Sequence, residues 1–163
     1  MKKTDFLTKL RKQKKLQMVD PSEEICQAYL EKSDKSMNSS KVTFEIESYE
    51  DSIALAYYSM YYSVLALLFR IGVKCENHTA TIILLKKVFN IDNESLFKAK
   101  KERVDKQYYV DFSVTKNEVQ EMIIKTEQLN SKILEFINNL NQDGIRRYRK
   151  NAESLIKNTE PKN

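Results

Sequence analysis

The sequence predicts an all-α protein: an antiparallel helical bundle of four to five core helices with basic helices at its ends. Three observations predict it. The 163 residues include only two glycines and two prolines, too few turn formers for a β architecture. Ala54–Val73 is apolar or aromatic on nearly every side, and such a helix has to be enclosed by others. Val119, Met122, Ile123, Thr126, Leu129, Ile133, Phe136, Ile137 and Leu140 step by three and four, the stripe of a long helix packed along one face. The length suits one domain with a sizeable core.

The elements follow in order. Thr4–Val19 reads as a short basic helix with Phe6, Leu7 and Leu10 on one side. Asp20-Pro21-Ser22-Glu23 starts the next helix, with Asp20 as cap and Pro21 in the first turn. Val42–Ile46 alternates like a strand but has no partner strand, so it reads as helix continuation or connector. Ser48-Tyr49-Glu50-Asp51 resembles a capping box for the central helix. That helix stops at Ile71-Gly72, with glycine as the left-handed cap, and Arg70 offsets the dipole at its carboxyl end. Asn77 caps a helix from His78 to Phe89, and Asn90–Asn93 is a turn. Glu94–Tyr109 is a further helix with Leu96, Phe97, Ala99, Val104 and Tyr108 inward. Thr115-Lys116-Asn117-Glu118 is a capping box for the striped helix. Asp143-Gly144 breaks that helix, and Ile145–Lys157 reads as a basic, weakly amphipathic tail.

The net charge is +5, and it is unevenly placed. Residues 1–19 carry seven Lys/Arg against one acid, residues 20–140 fifteen against nineteen, and residues 141–163 six against three. The chain therefore divides into a basic N-terminal arm (1–19), the bundle (20–140) and a basic C-terminal helix or tail (141–163). Basic ends suit a polyanion such as RNA, although a solvated face is the plainer account. Cys26 and Cys75 have no redox or metal spacing and read as free thiols of a reducing compartment. One histidine and two cysteines do not supply a zinc donor set within one chain, and no cofactor is expected. The N-terminal lysines precede no long apolar run, so no signal peptide is expected. Ile53–Phe69 is short for a membrane span and carries several hydroxyls. The expectation is a cytoplasmic protein with no membrane partner.

The order of these features resembles a known family. Ala56-Tyr57-Tyr58-Ser59-Met60-Tyr61-Tyr62 followed by Leu65-Ala66-Leu67-Leu68 is similar to the signature helix of HEPN (higher eukaryotes and prokaryotes nucleotide-binding) domains, in the small stand-alone prokaryotic form. The glycine stop at Gly72, the histidine opening the next helix at His78 and Arg103-Val104-Asp105-Lys106-Gln107-Tyr108-Tyr109 continue the resemblance, over roughly residues 22–140.

The resemblance implies an antiparallel bundle, usually a homodimer. It also implies a metal-independent ribonuclease using Arg and His across a dimer cleft, commonly paired with a small nucleotidyltransferase antitoxin. Cleavage by the ribose 2′-hydroxyl needs a histidine near neutral pKa to move the proton. It also needs an arginine to hold the phosphate and its developing charge. His78, Arg103 and Tyr109 are the candidate site residues. The strict Arg-x4-6-His spacing is absent. Arg70 and His78 are separated by seven residues, and the position five after Arg103 is Tyr108. Two outcomes follow. Either His78 reaches Arg103 and Tyr109 from a neighbouring helix, or the nuclease function is lost and the bundle binds a nucleotide, RNA or a protein without catalysis.

Overall fold

The computed structural model describes residues 3–108, 110–111 and 113–157. In chain order these form α1 (Lys3–Lys12), β1 (Leu16–Met18), α2 (Glu23–Glu45), α3 (Tyr49–Arg70), β2 (Val73–Cys75), α4 (His78–Phe89), α5 (Glu94–Tyr108), α6 (Lys116–Asn138) and α7 (Gln142–Lys157). The expected all-helical bundle is present. Its axis is α3, with α2 running along it in the most extensive pairing and α5 and α6 packed on its other sides. Ile53, Tyr57, Met60, Val64, Leu67 and Leu68 are wholly enclosed. Each large apolar side chain so buried contributes about 1.5–3 kcal/mol before entropy is set against it. By length and composition α3 is the one described helix that passes as a membrane span, but most of it is buried inside the protein, as in a core helix.

Serines set the register of α2 against α3. Ser33 donates to the Ser59 carbonyl at 2.7 Å and Ser59 donates back to the Ser33 carbonyl at 2.9 Å. Ser40 and Ser52 repeat the exchange at 2.7 Å in both directions. The two pairs lie seven residues apart on each helix, in opposite order, which makes the helices antiparallel. Small residues let the backbones approach, and each hydroxyl proton is satisfied by the opposite carbonyl. Asn130 of α6 donates to Ser59 Oγ at 2.8 Å and joins the third helix to the pair. Ser59→Val adds bulk in the buried seam between α2 and α3 and leaves the Asn130 amide without its acceptor. It is expected to cost about 2–4 kcal/mol, read as a fall in Tm of roughly 5–10 °C. Ser59→Ala is expected to cost about 1 kcal/mol.

The caps are partly as expected. Asn77 Oδ1 accepts from Ala80 N–H at 2.9 Å, and Thr115 with Glu118 forms the full capping box. Gly72 has φ +79°, the left-handed cap of α3. Two caps differ. Ser22, not Asp20, caps α2, its Oγ accepting from Ile25 N–H at 3.1 Å. Hydrogen bonds from Val19 N–H to the Gly72 carbonyl and from Ser22 N–H to the Phe69 carbonyl hold this stretch extended until Ser22. The Ser48 hydroxyl donates to Asp51 at 2.7 Å and makes no bond to the helix backbone; the carboxylate is the stronger acceptor.

Four expectations are corrected. The first helix ends at Lys12, and Lys14 takes a left-handed turn. Leu16–Met18 then pairs antiparallel with Val73–Cys75, Leu16 opposite Cys75 and Met18 opposite Val73. The break before the last helix falls at residues 139–141, with Gly144 inside the first turn of α7. That helix is strongly amphipathic. It buries Ile145, Ala152 and Ile156, and packs on α4 and α1. On α5, Phe97 is 40 % and Tyr108 70 % exposed. The inward face of α5 is Leu96, Ala99 and Arg103, and Tyr108 lies roughly 140° round the helix from Arg103.

Part of the C-terminal basic excess is structural. The guanidinium of Arg149 donates to the carbonyls of Val19, Ile71 and Gly72. It thereby satisfies the carbonyl of Ile71, the cap residue of α3, and ties α7 to the loop that leads into β2.

Candidate functional site

His78 opens α4, and its position is fixed from both sides. Upstream, β2 is clamped to β1, and Glu76 N–H donates to the Lys15 carbonyl at 2.7 Å. Downstream, the Asn77 cap and the bond from Thr81 Oγ1 to the Asn77 carbonyl (3.0 Å) hold the first turn. The imidazole therefore lies flat on the Tyr61 ring, with centroids 4.1 Å apart and planes 2° from parallel. Its Nδ1 is 2.6 Å from the Tyr57 hydroxyl.

Arg103 arrives from α5, one turn beyond Ala99, which is buried in the core. Its guanidinium lies 5.1 Å from the Tyr58 ring centroid and 5.8 Å from that of Tyr57, a cation–π arrangement. One buried tyrosine thus touches both partners, bonding His78 by its hydroxyl and facing Arg103 with its ring. The structure brings His78 and Arg103 together within one protomer. Tyr109 lies outside the described residues. Arg70 sits in the last turn of α3, as the dipole reading expects.

The electrostatics follow from burial and charge. Burial first, then neighbouring Tyr61, pushes the Tyr57 phenol far above its ordinary value against the pull of Arg103. Burial likewise takes Tyr61 up to about 12. Both phenols stay protonated at physiological pH. His78 is held below its ordinary value, first by burial and then by the charges of Arg103 and Lys100. The amino-terminal end of α4 acts in the same direction. His78 is therefore neutral at neutral pH, with Nδ1 on Tyr57 and Nε2 left for chemistry. A hydroxyl both donates and accepts. When Nδ1–H donates to Tyr57, Nε2 is a base, and the same bond persists once Nε2 is protonated. Cys75 is buried and its thiol is pushed up, so it is a poor nucleophile here.

Tyr57 stands out in the sequence as one of the four tyrosines of the signature helix but not as a site residue, and Lys100 does not stand out at all. The i, i+4 placement of Tyr57 and Tyr61 on the buried face was the signal for the first. Lys100, three residues before Arg103, was hidden among the other lysines of α5. Grooves of about 600 Å³ between α6 and α7 and about 710 Å³ between α5 and α6 lie elsewhere. The convergence of one imidazole and one guanidinium on a shared tyrosine is the more specific chemical sign. Among the described residues no group of three His, Cys, Asp or Glu side chains is placed to hold a metal ion.

Fold and site together define a helical-bundle protein with a neutral imidazole beside a fixed cation, carried on a buried tyrosine row. Residues 26–140 match the HEPN domain, and the chain belongs to the HEPN family, whose members are nucleotide- and RNA-related. The match begins inside α2 and ends just past α6. No curated protein matches the chain.

Proposed function

We propose that this protein is a toxin-type endoribonuclease that needs no metal, acting in the cytoplasm. The observation that supports this reading most is the convergence on Tyr57, with His78 Nδ1 2.6 Å from its hydroxyl and Arg103 5.8 Å from its ring centroid. It offers an alternative to the missing Arg-x4-6-His spacing, since the histidine comes from α4 rather than from α5. In this reading His78 Nε2 takes the proton of the ribose 2′-hydroxyl, whose oxygen attacks the adjacent phosphorus. Arg103 holds the phosphate oxygens as charge grows on them. The bond from phosphorus to the 5′-oxygen breaks, and that oxygen takes a proton from water. The products are a 2′,3′-cyclic phosphate and a 5′-hydroxyl. A homodimer and a small nucleotidyltransferase partner go with the family resemblance.

The test is incubation of the purified full chain with tRNA and mRNA in EDTA, with the ends of any fragments identified. Cyclic-phosphate and 5′-hydroxyl ends are expected. Intact RNA after long incubation overturns the reading and leaves the non-catalytic module that the departed motif spacing favours. That module would bind a nucleotide, RNA or a protein through the same surface.

A further inference from the structure

The four tyrosines of α3 do two different jobs. Tyr57 and Tyr61 are enclosed, whereas Tyr58 and Tyr62, one residue further round the helix, are only half-buried. The outer pair is part of a longer row. Tyr58 stacks on Tyr62 with centroids 6.0 Å apart and planes 25° from parallel. Tyr62 meets Tyr29 of α2 at 6.0 Å, and Tyr29 stacks on Phe69 at 5.5 Å. At the other end Tyr58 meets Tyr57, which holds His78.

A cation stands against the row at each end. Lys32 Nζ sits 5.4 Å from the Tyr29 centroid and 5.6 Å from that of Tyr62. Arg103 covers Tyr58, and Lys100 stands close enough to act on His78.

We propose that Tyr58, Tyr62 and Tyr29, with Lys32, form a stacking track that binds the unpaired RNA strand running into the His78–Arg103 site. This rests on the reading of that site as RNA-directed and names the form of RNA it takes. Half-open aromatic rings in steps of about 6 Å receive bases, and cations along the rim receive the phosphates between them. The ligand is a single strand because stacking on a side chain needs a base whose face is free. In an A-form duplex those faces are covered by neighbouring base pairs. The interaction is sequence-tolerant, because every base has such a face.

The track is tested with fluorescence anisotropy of a labelled oligoadenylate of about 12 nucleotides and a blunt RNA duplex of equal length. The proteins are the full chain, Tyr62→Leu, Tyr62→Phe and Lys32→Ala. The wild type is expected to prefer the strand. Tyr62→Leu is expected to weaken strand binding about tenfold, and Tyr62→Phe, which keeps the ring, to restore it. Lys32→Ala, an exposed change that leaves the core intact, is expected to reduce the salt slope by about one. Equal binding of strand and duplex overturns the track, as does strand binding unaffected by both Tyr62→Leu and Lys32→Ala. A protein-binding surface instead of an RNA track would give that same null result. The nuclease reading fails separately: wild-type protein that leaves RNA intact while strand binding still follows Tyr62 and Lys32 removes the chemistry and keeps the track.

Discussion

His78→Ala is expected to lower RNA cleavage by about a hundredfold to ten-thousandfold, the range a positioned general base supplies, with the circular dichroism spectrum close to wild type and Tm lowered by only a few degrees, because the buried Tyr57 hydroxyl loses its partner at a cost of about 1–3 kcal/mol. His78 is half-buried at a helix start, so its truncation opens no deep cavity. Arg103→Ala is expected to fall in a similar range through lost charge stabilisation at the phosphate, on the order of 10²–10³. Arg103→Lys should recover only part of it, because an ammonium lacks the planar fork that fits phosphate oxygens. Cleavage by His78→Ala at the wild-type rate would remove the imidazole from the chemistry.

The pH dependence gives this expectation a second, independent reading. His78 is the single histidine of the chain, so its imidazole proton signal in NMR is unambiguous. Its midpoint is expected below the ordinary 6.5. Arg103→Ala should move it upward, since a like charge is removed. A base is active when deprotonated, so the depressed value extends activity toward acid pH, and the acid limb of the rate profile should follow the NMR midpoint. The stability linkage has the same sign. Above pH 6.5 the ring is neutral in folded and unfolded chains alike, and its contribution is fully present. As pH falls below 6.5 the unfolded chain takes up the proton first, so stability drops until the folded ring is protonated too. A midpoint at or above 6.5 would contradict the burial and the neighbouring cations together.

The axis of the fold was legible because α3 is apolar all round, a pattern that only a buried helix satisfies. The candidate site was half legible. His78 and Arg103 stand in the right order, but nothing in a linear spacing shows that residues on α4 and α5 meet on Tyr57. The strands were not legible, since three residues are too short to display a period of two. Ile145, Tyr148, Ala152 and Ile156 do carry helical spacing. Their stripe was obscured by Arg149, which lies in the same helix and spends its charge on backbone carbonyls instead of solvent. The serines were legible in principle. Ser33 with Ser40 and Ser52 with Ser59 repeat at seven, a spacing that places each pair on one helix face. Polar residues on a face opposite large apolar ones are easily taken for a solvated side, whereas here both pairs are buried.

Gly72→Ala is expected to destabilise the protein by about 3 kcal/mol or more, lowering Tm by roughly 6–12 °C for a chain of this size. Two costs combine. At φ +79° an L side chain is strained, by about 1–2 kcal/mol. The added methyl also runs into the Arg149 guanidinium, the Val19 carbonyl and the nitrogen of Pro21. The backbone atoms cannot yield without breaking the Val19 to Gly72 hydrogen bond that leads β1 onto β2. The costs separate in a double-mutant cycle with Arg149→Ala. That single change removes the donor to the Ile71 carbonyl, while the Gly72 carbonyl keeps the Val19 N–H. In its background Gly72→Ala should cost less, because the guanidinium is no longer in the way, while the backbone strain and the Val19 contact remain. Full additivity would mean that Arg149 and Gly72 do not share the junction. The junction matters beyond stability. Gly72 is followed directly by β2, and β2 delivers Asn77 and His78 to the tyrosine row. A displaced loop would therefore loosen the bond between His78 and Tyr57, and the His78 NMR midpoint should rise toward its ordinary value in the fraction of Gly72→Ala protein that remains folded.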